Sequence, residues 1–276
     1  MNCRGKTLTL GVRTHVMGIL NVTPDSFSDG GCYLDVQQAV AHAKSMVAEG
    51  ATLIDIGGES SRPGASPVSI DEELARVLPV IRGIVDAVDV LISVDTYKAE
   101  VAQQALAAGG HLINDITALR GDPTMASVVA EMEAGLILMH MKGTPRTMQK
   151  APAYDDVVGE VCASLQESIE TAETEGVAAE RIIIDPGIGF GKTTEHNIEL
   201  LKRLREFQSL NKPLLIGTSR KSFIGNVLGL PVTERVEGTA ATVCWAIAHG
   251  ADVVRVHDVK ANARAAQMTD ALYRKK

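Results

Sequence analysis

Cysteine is scarce and unpatterned. Cys3, Cys32, Cys162 and Cys244 are scattered, with no CxxC pair and no metal-ligand spacing. That usage fits a reducing compartment. No cluster of three histidines or cysteines exists, which disfavours a structural or catalytic zinc site. Basic blocks are missing too, and the net charge is -7, so nucleic acid is not expected as a main partner. No apolar run reaches membrane-spanning length, and the start, MNCRGKTLTLG, is too polar for a signal peptide. The expectation is a soluble, cytoplasmic protein with no membrane partner. No linker, low-complexity segment or long repeat divides the chain, so residues 1–276 are expected to form one domain. Hydrophobic residues make up 45%, enough for a sizeable core.

What is present centres on Ile182–Lys192, IIIDPGIGFGK. The aliphatic run reads as a strand buried on both faces. It ends in Asp185, and a carboxylate at such a lip is costly unless it binds something. Pro186, Gly187 and Gly189 then turn the chain, and glycines let backbone approach a ligand closely. A phosphate-binding Walker loop would need glycine where Pro186 stands, and a GxGxxG fingerprint from Gly187 would need it at Lys192. Asp185 capping its own tight turn is the plain alternative.

Other strands end the same way. His15–Leu20 ends at Asn21, which is either a turn former or an oxygen ligand. Asp55 sits inside the strand Leu53–Gly57. Val90–Val94 ends at Asp95, and Thr96 is a candidate cap for the next helix. His111–Ile113 ends at Asn114, and Leu136–Met139 at His140, which reads as a core or supporting histidine. Leu214–Gly217 leads to Lys221. Val253–Val256 contains Arg255 and is followed by His257. Helical patterns follow these strands, with expected spans from Asp35 to Glu49, Ile70 to Val85, Met125 to Met132, Val157 to Glu175, Glu195 to Phe207, Val232 to His249 and Lys260 to Leu272. Leu8–Leu10 reads as a short extra strand covering the bottom of the fold. Eight strands each followed by a helix predict a (β/α)8 TIM barrel, at the usual length for one, with its polar residues at the C-terminal strand ends. A doubly wound sheet competes, but eight regular units without a break favour closure. The polar loops 22–31 and 58–66 are expected to be mobile and to cover the mouth.

The polar set divides by chemistry. Asp185, Asn114 and Asp95 can accept N–H donors from an amidine-like heterocycle edge. Lys221 can donate to that ring's carbonyl oxygen or to a ring nitrogen. Arg62, Arg255 and His257 suit phosphate oxygens, although Arg62 alone could be a surface residue in a turn. Asn21 offers a neutral oxygen to a hard cation such as magnesium (Mg2+).

Several stretches closely resemble the dihydropteroate synthase family. They are Met17–Gly31 (MGILNVTPDSFSDGG), Asp55–Gly64 (DIGGESSRPG), Ser93–Thr96, Asn114–Asp115, Asp185–Lys192, Ser219–Ser222 and Arg255–Asp258. The resemblance implies a transferase of folate biosynthesis, a sulfonamide target, usually a homodimer. It joins p-aminobenzoate to dihydropterin pyrophosphate with magnesium and releases pyrophosphate. Asp95, Asn114, Asp185, Lys221 and Arg255 would hold the pterin, with Asp95, Lys221 and Arg255 serving the chemistry. Asn21, Arg62, Arg255 and His257 would hold pyrophosphate, Asn21 through the metal. Phe27, Ser61, Arg62, Pro63, Phe190, Lys221 and Ser222 would form the p-aminobenzoate region. One departure stands out: the family commonly has threonine where this chain has Ser61, which keeps the hydroxyl and loses a methyl contact. The resemblance also suggests a dissociative path through a pterin cation, with water excluded by the two loops. A pterin-dependent methyltransferase domain could share Asp95, Asn114 and Asp185 but has no use for the anion grip. A non-catalytic pterin-binding protein would bind without turnover.

Overall fold

The structure, a computed structural model, describes residues 1–23, 31–60 and 64–274, with backbone only for residues 31–35. The chain opens with a hairpin, β1 Asn2–Cys3 and β2 Lys6–Thr7. Arg4 and Gly5 both have positive φ (53° and 83°) and make the two-residue turn that right-handed strands favour. Eight further strands form one parallel sheet. They are β3 His15–Asn21, β4 Leu53–Gly57, β5 Leu91–Asp95, β6 Leu112–Asp115, β7 Gly135–Met139, β8 Ile182–Asp185, β9 Leu215–Ile216 and β10 Val253–Val256.

The spatial order is β8-β7-β6-β5-β4-β3-β10-β9. The ring closes between β8 and β9, where Ile184 bridges to Leu214 and donates its N–H to Pro213 O at 2.9 Å. Paired residues followed around the ring from Met17 lead back to the register of Thr9. That stagger is what a closed eight-stranded barrel requires.

Nine helices pack outside among the described residues. They are α1 Gly31–Ala48, α2 Ile70–Ala87, α3 Ala99–Ala107, α4 Met125–Glu131, α5 Val157–Thr174, α6 Thr194–Lys202, α7 Ser222–Leu228, α8 Val236–Ala248 and α9 Val259–Tyr273. Strand side chains alternate between two cores, which is why the strands read as continuous aliphatic runs. Ile54, Val94, Ile113, Leu138, Ile184 and Val256 face the helices. Met17, Leu53, Leu91, Leu112, Ile137, Ile183, Leu215 and Val253 meet inside the barrel. Leu8 and Cys3 of the N-terminal segment join this inner cluster and seal its bottom.

Some expected boundaries move. The N-terminal strands lie before Leu8–Leu10, because Met1 and Leu8 exchange backbone hydrogen bonds of 3.1 and 2.9 Å and finish the hairpin there. The bottom is still covered, by side chains from a non-strand segment. Helix α1 begins at Gly31 rather than Asp35, with no proline or glycine between Cys32 and Ala48 to stop it. Thr96 does not cap α3; its hydroxyl accepts Lys98 N–H at 3.3 Å, and Asp122 accepts Ala99 N–H at 3.0 Å instead. The helix expected over Glu195–Phe207 ends at Lys202, and a 3-10 helix, Leu204–Leu210, follows. Its three-residue period puts Leu204 and Phe207 on one buried face. Val232–Glu234 is likewise 3-10, and α7 is an extra short helix.

Leu8 is 1% exposed in a closed cluster, so Leu8→Ala should leave a cavity. Urea denaturation is expected to show a loss of about 3 kcal/mol. An unchanged midpoint would mean that the segment merely rests on the barrel.

Candidate active site

Two residues above the apolar plug, the inward positions turn polar. Asp55 follows Leu53 on β4, Asn114 follows Leu112 on β6, Asp185 follows Ile183 on β8, and Arg255 follows Val253 on β10. The same alternation that builds the core therefore aims these side chains into the mouth. Asp55 is fully buried, and its Oδ2 accepts from Arg255 Nε at 2.6 Å and from Asn114 Nδ2 at 3.1 Å. Arg255 Nη2 donates to Asp95 Oδ2 at 2.8 Å. The guanidinium is thus held at two corners, which leaves Nη1 without a partner among the described residues. Because Asn114 donates to Asp55, its amide oxygen is left to accept from a ligand.

Charge and burial set the protonation of the mouth. Burial pushes the Asp95 carboxyl up to about 7; Arg255 opposes this and Asp55 adds to it. Burial likewise raises Asp185 to about 6, opposed by the Gly187 N–H and by Lys221. Lys221 is lowered to about 8, first by burial and then by Arg255. Its Nζ lies 4.0 Å from the centroid of the Phe190 ring, a cation–π contact. Phe190 packs with Ile116, Met139, Met141 and Met148 into an apolar wall at the lip.

The turn after β8 is built for close approach. Gly187 N–H donates to Asp185 Oδ1 at 2.7 Å. Gly187 has φ 68°, and a Cβ there would stand 1.8 Å from His140 O, so only glycine fits. His140 is buried and held neutral by burial and by Lys192, as a core or supporting histidine should be.

His257 is half-buried, and burial together with Arg255 lowers it to about 4, so it is neutral at pH 7. Ser219 Oγ accepts the His257 backbone N–H at 3.1 Å and lies 3.0 Å from Nδ1. In the tautomer in which the Ser219 hydroxyl donates to Nδ1, the ring carries its proton on Nε2, a donor suited to an anion. Arg235 donates to Arg220 O at 3.1 Å and Lys221 O at 3.3 Å, and Arg220 pairs with Asp258 at 2.5 Å. The Ser219–Ser222 backbone is pinned by these bonds, with Ser222 exposed at the start of α7.

Asn21 ends β3, half-buried. A Cβ on Gly57 would be 3.6 Å from both Asn21 Oδ1 and Asp95 Cβ, so these two oxygen-bearing side chains flank one glycine. Oxygen donors suit a hard cation whose other positions are filled by water and phosphate. Among the described residues no three His, Cys, Asp or Glu converge on a metal position, so this corner is not a closed protein cage.

The structure therefore gathers Asn21, Asp95, Asn114, Asp185, Phe190, Lys221, Arg255 and His257 around one mouth. Phe27, Ser61, Arg62 and Pro63 lie outside the described residues. The sequence reading placed Asp55 in the polar set but gave it no role; only its internal position in a strand signalled one. The Ser219–Ser222 motif carries no local sign of the hold that Ser219 has on His257, and Lys192 stands out in the sequence only as a missing glycine.

A family model of pterin binding enzymes matches residues 17–257. The chain is 52% identical over 272 residues to dihydropteroate synthase of Synechocystis, covering 98% of this chain and 94% of that one. Xanthomonas albilineans dihydropteroate synthase solved with 4-aminobenzoic acid is 47% identical, with TM-score 0.92 over 99% of this chain and 98% of that one. The same enzyme solved with 7,8-dihydropteroate gives 45% identity and TM-score 0.89 over 99% and 98%. The chain belongs to the pterin-binding enzymes and, within them, to the dihydropteroate synthase family.

Proposed function

We propose that this chain condenses 6-hydroxymethyl-7,8-dihydropterin pyrophosphate with p-aminobenzoate to give 7,8-dihydropteroate and pyrophosphate. The observation that carries this reading is the pairing of an acceptor-lined pocket with an adjoining set of anion donors. Asp185 accepts from the pterin 2-amino group and N3–H, and the Asn114 oxygen takes the same edge. Lys221 donates to O4 and N5. Arg255 lies against the ring and offers Nη1 towards the anion. His257 Nε2–H and Arg62 grip pyrophosphate. A pterin methyltransferase would leave this anion grip without a purpose.

The p-aminobenzoate region is formed by Phe27, Ser61, Arg62, Pro63, Phe190 and Lys221, with Ser222 receiving the carboxylate. The relative solved with 4-aminobenzoic acid supports an arylamine as the second substrate. Magnesium, with Asn21 as its protein ligand, would absorb charge on the departing pyrophosphate. The C–O bond breaks and its electron pair leaves with pyrophosphate. The positive charge left on the CH2 spreads into the pterin nitrogens, and the Asp95 carboxylate stabilises it. The aniline nitrogen then attacks the CH2 to form the new C–N bond, and its surplus proton leaves to the released pyrophosphate. Water would trap such a cation, which gives the loops 22–31 and 58–66 a reason to close.

The exposed apolar side chains Val227, Leu228, Val232 and Trp245, on and beside α7 and α8, support self-association as a homodimer. The free thiols Cys3, Cys162 and Cys244 support a cytoplasmic location. No helix of the described residues is long and apolar enough to cross a membrane.

Mixing both substrates with magnesium should release pyrophosphate in step with dihydropteroate. Pterin binding without release would leave a binding protein. A crystal soaked with the pterin substrate and magnesium, but no p-aminobenzoate, should contain a cleaved C–O bond with pyrophosphate at His257. An intact bond that breaks only after p-aminobenzoate is added would favour concerted displacement.

Affinity for a non-reacting pterin should be bell-shaped in pH. Binding needs ionised Asp185, so protonation as pH falls through about 6 weakens it. Binding also needs charged Lys221, so deprotonation as pH rises through about 8 weakens it. Calorimetry should show affinity falling about tenfold per pH unit on the far side of each limb. A flat profile would remove Asp185 and Lys221 from the pterin contacts.

A further inference from the structure

Lys192 is a lysine buried inside the fold, 3% exposed, behind the turn that carries Asp185 and Phe190. Its Nζ lies 2.9 Å from His140 Nδ1, 3.0 Å from Gly187 O and 2.9 Å from Phe190 O, with His140 O farther off at 3.5 Å. An ammonium has three protons, and the three short contacts take them. Nothing is left over for a ligand, so Lys192 makes no direct contribution to binding. Its partners instead define the turn. Gly187 supplies the N–H that fixes Asp185 Oδ1, and Phe190 supplies the ring beneath Lys221. His140 anchors the other side, since its backbone N–H donates to Asp185 O at 2.9 Å. One buried cation thus joins the end of β7 to both working parts of the loop after β8.

We propose that Lys192 is a positioning residue for the condensation, acting with His140 to hold Asp185 against the pterin and Phe190 against the arylamine. This rests on the reaction proposed above. His140 serves as the acceptor for the third ammonium proton through Nδ1, which requires the Nε2–H tautomer of a neutral ring. Burial and the neighbouring Lys192 charge keep that ring neutral. Burial lowers Lys192 to about 7, while Asp185 pulls it back towards the charged form. Only the charged form has a proton for each acceptor. The other charges that face it are Lys221 and Lys142.

The test compares Lys192→Met, His140→Asn and His140→Leu with the wild type. Melting temperature, pterin affinity by calorimetry, and kcat and KM for p-aminobenzoate are measured below the melting transition. Asn places an amide oxygen where Nδ1 stands; Leu does not. Lys192→Met is expected to lose about 100-fold in kcat/KM, with weaker pterin affinity and a higher p-aminobenzoate KM. His140→Asn should stay within about threefold of wild type, and His140→Leu should lose about tenfold. A folded Lys192→Met with both constants within about threefold of wild type would overturn the proposal, as would equal loss in the two His140 variants. If Lys192→Met does not fold, the His140 pair alone decides. A wild type that neither binds pterin nor turns over would overturn the reaction reading instead, so the two failures are distinguishable.

Discussion

A guanidinium inside a barrel is tolerable only if carboxylates face it, and Arg255 is met by Asp55 on one side and Asp95 on the other. Much of the mouth follows from that arrangement. Asp55 also receives the Asn114 amide and so fixes which end of Asn114 is free. The Arg255 charge pulls Asp95 down against its burial and pushes Lys221 and His257 down with theirs. His257 becomes a neutral donor, Lys221 a cation that is easily neutralised, and Asp95 a carboxyl poised near neutrality. A site of this kind meets its ligand with acceptors, donors and charge already in place, which is where electrostatic preorganisation is effective.

Position in the barrel turns sequence parity into chemistry. The apolar plug of Met17, Leu53, Leu91 and their neighbours excludes water from below. One strand step higher, the inward residues are Asp55, Asn114, Asp185 and Arg255. This is why the mouth was legible from the chain. Each aliphatic run announced a buried strand, and a polar residue at its C-terminal end had one place to point. Closure was legible from eight regular units, and the pairing of Ile184 with Leu214 bears it out.

The parts that could not be read depend on contacts between residues far apart in the chain. Lys192 gives no local sign that His140 accepts from it, because these two residues, which meet in space, lie 52 residues apart in the chain. The role of Ser219 needed the backbone of His257, which belongs to a neighbouring strand end. Thr96 looked like a cap from its spacing, and Asp122 took that work through a fold-level contact. The hairpin displaced the expected strand at Leu8–Leu10 because Arg4–Gly5 forms its turn, and arginine carries little turn signal. Period-based reading also placed a continuous helix across Arg203, where a tighter 3-10 turn buries Leu204 and Phe207.

The central claim is that a buried carboxylate at the end of β8 reads the donor edge of a pterin. Calorimetric titration of a pterin into Asp185→Ala and wild-type protein at neutral pH tests it most directly. Loss of a buried charged partner predicts weakening by about 2–5 kcal/mol, at least some thirtyfold in affinity. Affinity within about threefold of wild type would contradict the claim, since a donor edge deprived of its charged acceptor in a buried site cannot bind equally well.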